Sequence, residues 1–452
     1  MAAPLRGIPV PRPLLAGAAE APITPPAGVE LSGYSAREGP SLGVHDDLWC
    51  RALVADDGAA RIALVSLDLL GLDFALDGAL RQAAAEAGEV PPEAVLLNCS
   101  HTHAGPAVQR LPTLGVPESS YVASLPRRVA EVVRAAAGRR RPVVLSYGEA
   151  PGRVGINRRE WRPDGGVVIG SNPGGLVDEV VRVVQVSDEE GVTIALLFSH
   201  ACHGTTLGAA NRMISAEWMG AACESIRGQL DEGAVPVFLQ GCAGHTNPEK
   251  MTRSFQVVGQ LGARAAEAAL RAMAAAAPMA GAPLGARLER IELPLQDSPD
   301  APIAEARVAQ AERDFEQARR EGATATQVHS LQELVNWHRH VLSLARQGAR
   351  ALTLPFAVQA LRLGDLALVG LSGEVFLEFA LQIAAGSPFR HTLVLGYSNG
   401  CVGYVCTPEA IAEGGYEPEV SFYHYRSLPL APEAGAVMVE AALRLLGELR
   451  AG

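Results

Sequence analysis

The chain has 452 residues, 48% of them hydrophobic, which is material for a large core built from more than one pair of packed layers. Its 38 basic against 49 acidic residues leave a formal net charge of −11, so there is no electrostatic footprint for nucleic acid or an anionic membrane. No apolar run reaches the ~18 residues of a spanning helix, and stable membrane insertion is not expected.

Residues 1–30 are rich in proline and alanine, end in Thr24-Pro25-Pro26, and read as an extended lead-in without the apolar stretch of a secretory signal. Segments 48–54 and 61–67 flank Asp56-Asp57-Gly58 and predict a hairpin. A helix over 75–87, a short strand at 94–98, a helix over 121–137 and a strand at 142–147 follow. Strands at 179–186 and 192–198 are joined by Asp188-Glu189-Glu190-Gly191. Then come a helix at 217–230, a buried strand at 235–239 and an alanine-rich helix over 255–276. The stretch 302–348 is charged, helix-prone and broken near 322–326, which predicts a helical hairpin. Its role stays open between a lid, a contact in a homo-oligomer and a plain surface insertion. Strands at 356–362 and 366–369, a helix at 376–384, a strand at 392–395 and a closing helix at 433–449 complete the chain. Helices alternating with strands and hairpins predict a mixed α/β fold, with two β-sheets packed together and helices outside. The seven cysteines show no Cys-x-x-Cys spacing and read as buried free thiols of a reducing, cytoplasmic compartment.

Histidines concentrate where buried strands open into loops. Asn98-Cys99-Ser100-His101-Thr102-His103-Ala104-Gly105-Pro106 follows one such strand, and Ser199-His200-Ala201-Cys202-His203-Gly204-Thr205-Thr206 follows another. Four of the 11 histidines fall in these two segments, which favours a site over chance placement. Neutral imidazole binds zinc through a borderline nitrogen without adding charge, although His-x-His also serves as a plain hydrogen-bonding pair. A third strand end carries Gln240-Gly241-Cys242-Ala243-Gly244-His245-Thr246-Asn247-Pro248.

These segments occur with Thr24-Pro25-Pro26, Gly33-Tyr34, Asn157-Arg158, Gly373-Glu374 and Gly403-Tyr404-Val405-Cys406-Thr407-Pro408-Glu409, with Tyr416 following. In that order, over roughly residues 20–425, the set resembles the neutral ceramidase family. The resemblance implies a zinc-dependent hydrolase that cleaves an amide (N-acyl) bond with metal-activated water. It implies one Zn2+ per chain, held by His101, His203, Glu374 and Tyr404. It further implies His103, Arg158 and Tyr416 beside the scissile carbonyl, with Tyr404 either a ligand or a hydrogen-bond donor to the reacting group. Ligands drawn from such distant segments argue for a single catalytic domain spanning 1–452, with the zinc at strand ends and the hairpin as an insertion.

Two departures bear on the chemistry. Where the family carries an aspartate and a serine, this chain has His245 and Asn247, and an asparagine amide is no nucleophile. A C-terminal β-sandwich and a secretory or membrane-facing N-terminus are not seen in the sequence. The expected substrate is therefore a small soluble acyl amide or ester rather than a membrane lipid. A zinc esterase or lactonase, and a catalytically silent binding protein, are the alternatives.

Overall fold

The computed structural model describes residues 13–249 and 251–451, so the first twelve residues of the expected lead-in lie outside the described residues. The largest sheet has nine strands. In order across it run Val235–Gln240, Thr193–His200, Val180–Asp188, Arg141–Pro151, Leu15–Pro22, Trp49–Asp56, Arg61–Leu67 and Val95–Cys99, with Ala277–Met279 added beside Arg141–Pro151. A second sheet joins Leu284–Pro294, Thr353–Leu363, Leu366–Leu371 and His391–Leu395, and the two sheets share one hydrophobic core. The two-sheet α/β expectation thus matches the main body. Smaller ladders beside it pair Gly155–Trp161 with Val167–Asn172 and Thr246–Pro248, and Glu374–Val375 with Tyr404–Val405.

Residue alternation explains the layers. Val184, Leu197, Val237 and Leu239 point into the core shared with the second sheet. Val183, Leu196, Phe198 and Phe238 point the other way, onto Trp218 and Met219 of helix Glu217–Arg227 and Leu261, Ala265 and Ala269 of helix Phe255–Ala274. Successive strand residues face opposite sides, so a strand buried on both reads as a continuous apolar run. Burying each such Leu or Phe contributes ~1.5–3 kcal/mol, and a one-residue slip would exchange the two sets.

The lead-in expectation is corrected here. Leu15–Pro22 is an interior strand, antiparallel to Trp49–Asp56 over its whole length. Its sequence, LAGAAEAP, lacks the β-branched and aromatic residues that signal a strand. The cause is packing: helix Ser119–Gly138 lies so close that a Cβ on Gly17 would sit 2.3 Å from the Ala136 carbonyl oxygen. The Gly155–Trp161/Val167–Asn172 hairpin and the strand Leu284–Pro294 are further additions to the sequence reading.

The expected helical hairpin is present as Ala301–Arg320 and Ala325–Arg346, the second helix starting at a Thr324/Gln327 capping box. All seven cysteines are buried and unpaired. Among the described residues no helix is long and apolar enough to cross a membrane.

Candidate metal and active site

Two parallel strand pairs, Arg61–Leu67 with Val95–Cys99 and Thr193–His200 with Val235–Gln240, lie at opposite ends of the nine-stranded sheet. The sheet curls until those ends meet. Asn98 Nδ2 donates to the Gln240 carbonyl (3.3 Å), and the Gln240 amide donates back to Asn98 Oδ1 (2.8 Å). Gln240 Nε2 then ties the two histidine loops together, donating to the carbonyls of Ser100 (3.0 Å) and Cys202 (2.8 Å). A parallel pair sends both strand ends the same way, so all the histidine loops emerge on one side.

At that point three imidazoles converge. His101 Nδ1 donates to the Leu70 carbonyl (2.7 Å), His103 Nδ1 to that of Gly33 (3.0 Å), and His203 Nδ1 to those of Ala243 and Thr246 (2.9 and 3.0 Å). A carbonyl can only accept, so each proton sits on Nδ1 and each Nε2 offers a lone pair. These lone pairs face one another and a carboxylate. His103 Nε2 lies 3.1 Å from His101 Nε2, and Glu374 Oε2 lies 3.2 Å from His101 Nε2 and 3.1 Å from His203 Nε2. The three histidines form a set able to hold a metal ion. Packed lone pairs repel unless a cation lies among them. Separations of 3.1–3.2 Å are close to the ~3.3 Å edge of a tetrahedron with ~2.0 Å bonds. The donor set therefore fits a divalent ion such as zinc.

Local backbone enforces this geometry. His101 has φ +61, a left-handed conformation that a non-glycine residue adopts only when its surroundings impose it, here with its amide held by the Leu69 carbonyl. Gly33 has φ +102, and a Cβ there would lie 2.5 Å from His103 Nδ1, so only glycine lets its carbonyl receive that ring. Tyr397 stacks on His101 with centroids 4.1 Å apart.

Glu374 sits in a two-residue parallel ladder with Tyr404 as its register partner, which places the fourth expected ligand beside the third. Tyr425 donates to Glu374 Oε1 (2.6 Å), leaving Oε2 for the histidines. Arg158 Nη1 lies 3.3 Å from both His203 Nε2 and Asn247 Oδ1. The Arg158 guanidinium carbon is 5.3 Å from the Tyr404 ring centre and 5.8 Å from that of Tyr416. Glu417 anchors the arginine, accepting from Arg158 Nε (2.7 Å) and Arg159 Nη1 (2.8 Å). The structure thus brings all seven expected site residues into one neighbourhood, with His103 in the imidazole cluster itself. Asn247 serves Arg158 and Thr205, whose hydroxyl donates to the same Oδ1. His245 faces away, its Nε2 donating to the Leu176 carbonyl and its ring resting on Phe376.

Protonation follows from burial and neighbours. Burial, then the Arg158 guanidinium, lowers His203 to about 4, and burial with the other two imidazoles holds His103 well below its ordinary value. Burial raises Tyr404 and Tyr416, so both stay protonated as donors. Glu417, Tyr397 and Tyr425 were missed in the sequence. Only the adjacency of Glu417 to Tyr416 offered a signal, and nothing around Tyr425 distinguishes it.

Residues 14–251, just over half of the chain, match the family model described as neutral/alkaline non-lysosomal ceramidase, N-terminal. The chain belongs to this family. It is 26% identical to the neutral ceramidase of Pseudomonas aeruginosa over 90% of its own length and 69% of that protein. Identity to the neutral ceramidase of Mycobacterium tuberculosis is also 26%, over 86% of this chain and 70% of the relative. The crystal structure of the Pseudomonas aeruginosa neutral ceramidase superposes with a TM-score of 0.72 at 20% identity, covering 97% of this chain and 75% of that one. A ceramidase complexed with C2 gives the same values. These superpositions bear on the fold; for this family member the site rests on its own residues.

Proposed function

We propose that this chain is a metal-dependent hydrolase that cleaves an amide (N-acyl) bond, with one zinc ion per chain and no nucleophilic serine. The observation that carries the proposal is the convergence of three imidazole Nε2 atoms, those of His101 and His203 on the Glu374 carboxylate and that of His103 on His101. Membership of the ceramidase family, with relatives named neutral ceramidases, supports the reaction class. His101, His203 and Glu374 would hold the ion, with Tyr404 beside them. When bound, such an ion supplies Lewis acidity and a water acidified towards a pKa of about 7.

The remaining steps belong to side chains of this protein. Arg158 Nη2 is buried without a protein partner, which leaves one guanidinium donor free for the substrate carbonyl. Together with the protonated Tyr404 and Tyr416, it can stabilise the charge that develops on that oxygen. His103, neutral and with a lone pair directed into the site, can receive the proton released in attack and return it to the leaving amine. Asn247 cannot form an acyl-enzyme, and its amide oxygen instead fixes Arg158. We take the chain as one catalytic domain carrying the Ala301–Arg346 insertion, acting in the cytoplasm on a soluble acyl compound.

Metal analysis of the purified protein, paired with hydrolysis of matched N-acyl and O-acyl chromogenic substrates with and without chelator, tests the proposal. About one zinc per chain, lost in His203→Ala, and chelator-sensitive amide cleavage are expected. Ester cleavage alone would make the chain an esterase or lactonase. Absence of metal, with His203→Ala indistinguishable from the native protein, would make it a silent binding protein.

A further inference from the structure

A cleft of about 470 Å³, open to solvent on one side, lies beside the site, bounded by residues 30–39, residues 112–116 and the first turns of helix Ala325–Arg346. Two of its walls stand one side chain away from the reacting groups. Tyr34 lines the cavity and rests edge-on against His103, with ring centroids 5.0 Å apart. Thr113 lines the opposite wall and bonds the His424 imidazole, whose ring centre is 6.4 Å from that of Tyr416. The hairpin forms the roof and is pinned there. His329 Nε2 donates to the Pro112 carbonyl (2.7 Å), and the Ser330 hydroxyl reaches the Ser35 carbonyl (3.4 Å).

Its volume suits a small ligand, since ligand pockets run from roughly 300 to 1,000 Å³. The roof is hydroxylated. Thr326 and Ser330 stand four residues apart on one helix, hence on one face, and both line the cavity. An uninterrupted alkyl chain laid against these hydroxyls would displace their water without replacing its hydrogen bonds, whereas an acyl group carrying its own hydroxyl would restore them.

We propose that this cavity is the acyl subsite, that it takes a short hydroxylated acyl group, and that Thr326 and Ser330 are the residues that select it. This rests on the hydrolase reading of the site beneath. The cavity connects that reading to a substrate class through the hairpin, whose place in the sequence carried no chemical signal.

The test compares the zinc-loaded protein on two isosteric amides, the 4-nitroanilides of 3-hydroxybutyric and 3-methylbutyric acid, with the dodecanoyl anilide as a long-chain reference. A preference of about tenfold or more in kcat/KM for the hydroxylated amide is expected, expressed mainly in KM. In Thr326→Val/Ser330→Ala, which keeps the helix and the His329–Pro112 bond, the preference should shrink to under about threefold. Calorimetric binding of the corresponding simple amides reads the same preference without turnover. If neither anilide is hydrolysed yet calorimetry shows the preference and its loss in the double variant, the hydrolase reading fails and the subsite stands. Equal use of the two isosteres, a preference unchanged in the double variant, or fastest cleavage of the dodecanoyl anilide would overturn the subsite.

Discussion

Neutralising Glu417 probes how the cationic side of the site is held. Its carboxylate bonds Arg158 at 2.7 Å and Arg159 at 2.8 Å, and all three side chains are buried. In Glu417→Gln the two guanidiniums share one neutral acceptor. Arg159 keeps Glu413 and the Gly414 carbonyl, while Arg158 keeps its longer 3.3 Å contacts to Asn247 and His203. Removing one partner of a buried ion pair costs about 3–5 kcal/mol because the charge left behind stays desolvated. Unfolding entropy near 2.1 cal/mol/K per residue gives a chain of this length about 1 kcal/mol/K, so Tm should fall by roughly 3–5 °C in a cooperative transition. Calorimetry at pH 7 measures this, and a second variant identifies the cause. Arg158→Met/Glu417→Gln removes the orphaned charge and should recover at least half of the loss. Burial alone would raise the Glu417 carboxyl, but Arg158 and Arg159 outweigh it and hold the group below its ordinary 4.5. Its contribution is therefore full above about pH 4.5 and is lost as pH falls through the lower folded value, so native and Glu417→Gln transitions should approach each other in acid. A fall in Tm below 1 °C, or a double variant that sums the two single losses, would refute the reasoning.

Tyr425→Phe removes the hydroxyl that holds Glu374 Oε1, and should weaken zinc affinity by about 10–100-fold in a chelator competition while leaving Tm nearly unchanged. Unchanged affinity would show that Glu374 needs no such anchor. Trp337→Ala deletes a side chain that packs on Phe422 and donates to the Ser427 carbonyl; a loss of about 3–5 kcal/mol is expected by chemical denaturation, with reduced amide hydrolysis. Full activity in that variant would detach the hairpin from the chemistry. Glu217 is raised by burial to about 7 from 4.5. Folding therefore favours its protonated form, a contribution full below about pH 4.5 and gone once pH passes about 7. Glu217→Gln should match the native Tm at pH 4 and exceed it at pH 8 by at most about 3 °C, the equivalent of about 3 kcal/mol, and equal Tm values at pH 8 would contradict this.

Much of the layout was legible because it is written in local pattern. The apolar runs at 193–200 and 235–240 and the spaced apolar residues of 119–138 declare strands and a helix, and the histidine loops follow directly from strand ends. What stayed hidden depends on neighbours distant in sequence. Leu15–Pro22 is built of small residues because a helix presses on it, so its composition reports the helix and conceals the strand. Tyr425 and Glu417 become site residues only because the turn after Tyr416 folds back under Glu374 and Arg158. Nor does periodicity show that the two edges of a nine-stranded sheet close on each other through Asn98 and Gln240.

The hairpin is where that limit matters most. Its charge and capping box describe any solvated helical pair, which is why a lid, an oligomer contact and a surface insertion were equivalent in sequence. In the fold its second helix touches both sides of the site. Trp337 packs on the 422–427 segment that carries His424 and Tyr425, while His329 holds the 112–116 wall that faces Tyr34 across the cavity. A helix of this length spans about 30 Å at 1.5 Å per residue, so one rigid element links the anchor of Glu374 to the roof over His103. Movement of the roof must then strain the Trp337 contact or carry the 422–427 segment with it, and that segment holds the hydroxyl bonded to Glu374.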